Sequence, residues 1–352
     1  MKSLTLGLPV MLHDEKEIVA FLEAKERIEA YGDTLGMPFN VGAFLYFTEK
    51  ALSFEKRADQ SVNQKHYKLP LVHAQTPIQL ANSLAYDKTE HRRHGRIGWL
   101  ETCLRHCAEL RRDDSNRYKT HMDVDTHVGA IVLDEPTNMP CVYSMPEYLA
   151  RKDAIKASIG ERFDQLHIFA EQLRLGFVVE NSITACVSPT PASKGKPVMH
   201  YFPFNNFADL QTITNGNMTF DVGHWAASKS AATQLRDRPE RHRVFEMEGI
   251  ESWEQYLESH GAYNTYLYAA KVIHLSNVTG LGVHLQPDLE SLWGKDGTVE
   301  GLIPRADLVR TVTAARERNV PVIMEMDYDI MRIPQNKYLE ADKMLQYIFE
   351  GR

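Results

Sequence analysis

The sequence predicts a single (β/α)8 TIM barrel spanning residues 1–352. Short β-rich apolar runs alternate with longer stretches of helical spacing, eight such units can be counted, and no linker or composition shift divides them. With 352 residues, 43% hydrophobic and 25% charged, the chain can bury a sizeable core without staples.

Ser3–Val10 reads as the first strand. Asp14 then caps a helix in which Ile18, Phe21, Leu22 and Ile28 share one face, with Gly32 as its stop. The second strand falls within Phe39–Phe47, and Thr48–Arg57 has helical spacing. Leu69–His73 is the third strand, ended by Thr76-Pro77, and Ile78–Leu110 reads as mostly helical. The fourth strand is assigned to the Val- and Ile-rich run His127–Leu133, before Asp134-Glu135-Pro136. Between Pro146 and Gly176, the positions Ile155, Ile159, Phe163, Leu166, Ala170 and Leu173 step by three or four, the spacing of a long helix. Phe177–Val179 and Met218–Phe220 are strands five and six, and a helical stretch from Trp253 to Ala269 leads into strand seven, Lys271–Leu275. Leu308, Val312 and Ala315 mark a helix face ending at Asn319; Val320–Met324 is strand eight; Leu339, Leu345, Ile348 and Phe349 mark a closing helix. The proline-rich segment Val187–Pro203 and the glycine-rich segment Leu275–Pro304 read as long loops after strand ends. In this fold that face carries the active site, so both are candidates for a lid or for specificity elements.

Forty basic against forty-seven acidic residues leave a formal charge of −7, which argues against an electrostatic grip on a polyanion and for a small polar substrate. The basic clusters at His91–Arg96 and Arg236–Arg243 lack interleaved aromatics and read as solvated helix faces; beside the barrel mouth, either would suit a sugar phosphate. Cys103, Cys107, Cys141 and Cys186 are too few and too irregular for a disulfide framework, which points to a reducing compartment. Cys103, His106 and Cys107 have helical spacing but no second ligand pair, and read as ordinary helix residues. Pro9, His13, Asp14 and Glu15 interrupt the N-terminal apolar run before signal-peptide length, and no run reaches the roughly 18 to 20 residues of a membrane span. A cytoplasmic location is expected.

Glu180, Asp221 with His224, His274 and Glu325 stand at the C-terminal ends of strands five to eight. One carboxylate after an apolar run is usually a strand terminator or a helix cap. Four consecutive strands ending this way would bring two Glu, one Asp and one His to the barrel axis, a mixed O/N set suited to one divalent ion such as Mn²⁺, Mg²⁺, Co²⁺ or Zn²⁺.

The motifs Val-Val-Glu-Asn-Ser at 178–182, Phe-Asp-Val-Gly-His at 220–224, Val-Ile-His-Leu-Ser-Asn at 272–277 and Val-Ile-Met-Glu at 322–325, with Leu-Val-His-Ala at 71–74, resemble the xylose isomerase-like TIM-barrel superfamily. That group holds ketose epimerases, sugar and sugar-phosphate isomerases, inosose dehydratases and class II AP endonucleases. The resemblance implies that Glu180, Asp221, His274 and Glu325 bind one metal, and that Glu180 and Glu325 act as acid and base on opposite substrate faces. It also implies that His224 contacts a substrate oxygen or joins a second metal site, and that His73 lines the pocket or adds a ligand. The nucleases end strand four in a histidine before Pro-Gly, where this chain has Asp134-Glu135-Pro136, and their later Asp-x-His pair is replaced by Gly282-Val283-His284. The ketose epimerases place a second Glu and an Arg six residues after the first Glu and the His; here these positions are Cys186 and Gly280. The expected function is metal-dependent isomerisation or epimerisation of a sugar, or the related dehydration, with homo-oligomers of barrels through their helices. The competing readings are a phosphodiesterase and a non-catalytic carbohydrate-binding barrel.

Overall fold

The computed structural model describes residues 2–47, 53–76, 79–83, 98–112, 122–134, 142–189, 197–280, 283–285, 301–325 and 334–351. Eight strands close into a barrel in chain order: β1 (Leu4–Val10), β2 (Phe39–Tyr46), β3 (Leu71–Gln75), β4 (Asp123–His127), β5 (Gly176–Glu180), β6 (Met218–Asp221), β7 (Val272–Leu275) and β8 (Val322–Met324). All neighbours are parallel, and β1 closes on β8 through Leu6 opposite Val322 and Gly7 opposite Ile323. Strands covered on both faces favour near-continuous apolar runs, and every residue of β1 is buried. Inside the barrel, Phe44, Val72, Val272 and Ile323 pack into a separate floor. Gly7 belongs to that closure, since a Cβ there would stand 2.4 Å from Ile323 Cδ1.

Among the described residues the helices are α1 (Glu15–Thr34), α2 (Phe54–Tyr67), α3 (Trp99–Arg112), α4 (Met145–Gln172), α5 (Phe207–Thr214), α6 (Val222–Gln234), α7 (Arg241–Glu248), α8 (Trp253–His260), α9 (Tyr263–Ala269), α10 (Arg305–Arg318) and α11 (Pro334–Glu350). Asp14 caps α1 as expected, accepting from the backbone N–H of Lys16 and Glu17. Gly32 does not stop that helix, which runs on to Thr34. Its role is close approach, because a Cβ there would lie 2.7 Å from both Met37 O and Phe39 Cγ. The stretch from Trp253 to Ala269 is two helices, broken at Gly261, whose φ of 88° belongs to the left-handed half of backbone space. In α11, Leu345 and Ile348 are buried as expected, whereas Leu339 is exposed. No helix among the described residues is long and apolar enough to cross a membrane.

Strand four is where the sequence reading departs most from the structure. The barrel strand is Asp123–His127, and Ile131–Leu133 leaves the barrel to pair with Val142–Ser144. The two segments expected as loops also contain strands. Ala185–Pro189 pairs antiparallel with Pro197–Tyr201, and this hairpin joins Ile131–Leu133 through Val132 opposite Tyr201, making a four-stranded sheet after the ends of β4 and β5. Asn277–Gly280 and Val283–Leu285 form a second short antiparallel pair. The His91–Arg96 cluster, Cys141 and most of the glycine-rich turn lie outside the described residues. Arg243 of the other basic cluster pairs with Asp134 and Glu246, and Arg238 with Glu240, as on a solvated face.

The pairing of β2 with β3 slips by one residue: Ala43 lies opposite Leu71, but Phe44 lies opposite His73. Successive residues of a regular strand point to opposite faces, yet Val72 packs in the barrel floor and His73 meets His274 inside the barrel. The irregularity allows both to face inward.

Candidate functional site

Glu180 ends β5, Asp221 ends β6, His274 lies on β7 and Glu325 follows β8. One donor atom from each falls within 4.8 Å of the others. Glu180, Asp221 and His274 are completely buried, and the side chain of Glu325 is 16% exposed. His274 Nδ1 stands 3.5 Å from Glu180 Oε2 and 3.6 Å from Glu325 Oε2.

Local structure fixes each carboxylate. Asp221 caps α6, its Oδ1 accepting from the backbone N–H of His224 at 2.7 Å and from Ser276 Oγ at 3.4 Å. Its Oδ2 is left facing the cluster with no hydrogen bond. Asn181 ties the ends of β5 and β6 together: its Nδ2 donates to Asp221 O at 2.9 Å, and its Oδ1 accepts from Asp221 N at 2.8 Å. The Gln75 amide donates to Glu180 Oε2 at 2.7 Å and holds that side chain from β3.

His224 reaches the same centre, its Nδ1 lying 3.0 Å from Glu180 Oε1 and 3.2 Å from Asp221 Oδ2, and also close to Asn181 O at 2.9 Å. His73 lies lower than expected for a pocket lining. It is fully buried, its Nε2 standing 3.1 Å from His274 Nε2 and 3.2 Å from Asp125 Oδ2.

Three residues of this centre were missed in the sequence. Asp125 and His127 are the alternate inward positions of β4, and His127 Nε2 lies 3.7 Å from Glu180 Oε2. Gln75 is the last residue of β3, two beyond His73. The signal was the period-two pattern Asp123-x-Asp125-x-His127, which reads as a polar loop unless a polar barrel interior is anticipated. With β4 at Asp123–His127, a histidine stands at the end of strand four.

The electrostatics are those of a crowd of buried anions. Burial opposes ionisation of Glu180, but the imidazoles of His127 and His274 beside it, with that of His224, hold its carboxyl well below the usual range. Against the same burial, His274 brings Glu325 down to about 2. Burial together with repulsion from Glu325 and Glu180 pushes Asp221 well up, although His224 opposes this. Burial disfavours the imidazolium of His224, yet Asp221 and Glu180 raise it to about 10; His274 is likewise driven up against its burial, by Glu180 and Asp125.

The residues present fit a divalent ion. Glu180 Oε1, Asp221 Oδ2, His274 Nδ1 and Glu325 Oε2 are buried and make no hydrogen bond. A cation would take the place of the protons that the histidines otherwise hold. The same atoms and their neighbours compose three overlapping donor groups: Glu180/Asp221/His274/Glu325, His127/Glu180/His224 and His73/Asp125/His274.

No protein-family model and no curated protein matches the chain. Solved structures do match it. One from Anabaena variabilis, provisionally named a sugar phosphate isomerase/epimerase, aligns over 99% of this chain and 99% of its own at 10% identity, with a TM-score of 0.50. A xylose isomerase domain containing protein from Salmonella typhimurium aligns over 97% and 96% at 10% identity and a TM-score of 0.47. The 3-keto-D-glucoside 4-epimerase of E. coli aligns over 97% and 100% at 14% identity and a TM-score of 0.46. The likeness is one of fold: a closed eight-stranded (β/α)8 barrel.

Proposed function

We propose that the protein is a divalent-metal-dependent sugar or sugar-phosphate isomerase or epimerase that moves a proton alpha to a carbonyl. The observation that carries this reading is the pair of carboxylates, Glu180 and Glu325, held on different strands of one donor set with Asp221 and His274. Glu180, Asp221, His274 and Glu325 would hold one ion, Mn²⁺, Mg²⁺, Co²⁺ or Zn²⁺. Bound there, it would polarise the substrate carbonyl and stabilise the enediolate. Glu180 and Glu325 are held ionised by the imidazoles around them, so either can remove a proton, and the other first takes one up from solvent before returning it to the opposite face. The Gln75 amide restricts Glu180 to one orientation, so a proton is taken at a fixed atom. His224 and the partly exposed His127 offer ring nitrogens to substrate hydroxyls. The partner is a small sugar rather than a nucleic acid or a membrane, and the setting is the cytoplasm, in line with the free thiols of Cys103, Cys107 and Cys186.

The test is wash-in of solvent deuterium at the carbon beside the carbonyl, followed by NMR over a panel of ketoses and ketose phosphates with metal-loaded protein. Exchange is expected in the wild type, with a loss of about 10²- to 10⁴-fold in Glu325→Gln. Absence of exchange across the panel at full metal occupancy would sink the isomerase reading. Sugar binding without exchange would favour a carbohydrate-binding barrel.

A second reading, phosphodiester cleavage, is favoured by one specific observation: His127 joins Glu180 and His224 in a further donor group beside the first. The formal charge of −7 weighs against a polyanionic substrate. Incubation with duplex DNA carrying an abasic site separates the two, and no strand cleavage is expected.

A further inference from the structure

Below the mouth of the barrel, three donor atoms form a nearly equilateral triangle. His73 Nε2 and His274 Nε2 are 3.1 Å apart, and Asp125 Oδ2 stands 3.2 Å from the first and 3.3 Å from the second. Ligands about 2.0–2.1 Å from a tetrahedral zinc ion are about 3.3 Å from one another, so the triangle has the edge length such an ion requires. All three side chains are completely buried. Neither oxygen of Asp125 makes a hydrogen bond although two ring nitrogens are close, and His73 Nδ1 makes none. A buried carboxylate without aligned donors is strongly disfavoured unless another charge meets it.

The surroundings hold the triangle in place. The ring of Phe44 stacks on His73 with centroids 5.5 Å apart and planes 22° apart, and lies 5.7 Å from the ring of His274. His73 faces inward alongside Val72 where the β2/β3 register shifts, a kind of irregularity that re-aims side chains beside functional sites. Asp125 lies one inward step below His127 on β4. His274 divides its nitrogens, with Nδ1 toward Glu180 and Glu325 and Nε2 toward His73 and Asp125.

We propose that His73, Asp125 and His274 form a second divalent-metal site beneath the first. Two imidazoles and one carboxylate suit Zn²⁺ or Co²⁺ better than Mg²⁺. The proposal rests on the metal-centred reading of the Glu180/Asp221/His274/Glu325 set, and His274 is the ligand both sites share. With both filled, the His274 ring is a bridging imidazolate, its last N–H proton passing to solvent as the second ion binds.

Full-length protein stripped by chelation and titrated with Co²⁺ tests this, with visible absorption reporting coordination and elemental analysis after gel filtration counting bound metal. The wild type is expected to bind at least two equivalents, one with the intense absorption of a tetrahedral ion. Asp125→Asn and His73→Gln are each expected to bind one equivalent fewer and to lose that band. Asp221→Asn combined with Glu325→Gln is expected to lose an equivalent and keep it. One equivalent in the wild type, or an unchanged count and spectrum in Asp125→Asn, overturns the deep site. The wild-type count requires no variant to fold. Two equivalents with the tetrahedral band but no proton exchange on any sugar would support the deep site while counting against the proposed reaction.

Discussion

His106 and His260 are titratable groups buried outside the donor cluster. His106, on α3, has its Nε2 2.5 Å from Gln60 Oε1; His260, at the end of α8, has its Nε2 3.1 Å from Trp225 O and its ring stacked on Tyr256. Burial lowers each to about 4, so both stay neutral in the folded protein where the unfolded chain already takes up protons. Stability from these groups is fully present above the unfolded value near 6.5 and is lost as pH falls toward 4. Urea unfolding at pH 7.5 and pH 5 is expected to show a loss of about 2 kcal/mol per histidine, and His260→Gln to remove its share of the difference. Equal pH slopes for wild type and variant would contradict this. The neighbours of His106 behave as the sequence suggested: Cys103 and Cys107 are buried free thiols on α3, and burial with the adjacent Cys103 pushes the Cys107 thiol well up.

The contact between α1 and β2 depends on the missing side chain of Gly32. Gly32→Ala places a Cβ where Met37 O and the Phe39 ring already stand, and is expected to cost about 1–3 kcal/mol in urea unfolding. Elements such as α1, α4 and α10 were legible because a cap or a stop frames a continuous apolar stripe: Asp14 before α1, and Asn319, at φ 57°, after α10. The ends of β5 to β8 were legible for a related reason, since each apolar run brings a carboxylate or an imidazole at or near its end. β4 was not. Its inward positions Asp125 and His127 are polar because they belong to the donor groups, and the more apolar Ile131–Leu133 nearby drew the strand assignment away. Gln75 escaped notice because an uncharged amide after His73 gives no chemical signal until Glu180, 105 residues later, is seen to accept from it. The strands within Val187–Pro203 were hidden by the prolines, which here stand at the ends of a hairpin, Pro189 opposite Pro197.

At the scale of the whole barrel, Asp125, Glu180, Asp221 and Glu325 are four carboxyl groups gathered around one axis. The strands that bring them together must hold that charge inside an apolar shell. A divalent ion that binds only the folded state adds about 2.7 kcal/mol at a hundred times its dissociation constant. Thermal unfolding of chelated and metal-loaded protein is therefore expected to differ by several degrees, with the loaded form higher. The difference should vanish in the Asp221→Ala, His274→Ala double variant. A persistent shift in that variant would assign the bound ions to other residues.

The sheet built from Ile131–Leu133, Val142–Ser144, Ala185–Pro189 and Pro197–Tyr201 has a mechanical consequence. The connections leaving β4 and β5 are separate lengths of chain, but the bridge between Val132 and Tyr201 makes them one plate. A plate bends as a unit. Displacing one connection at the bridge bears on the other, so a change at Val132 or Tyr201 is felt in both.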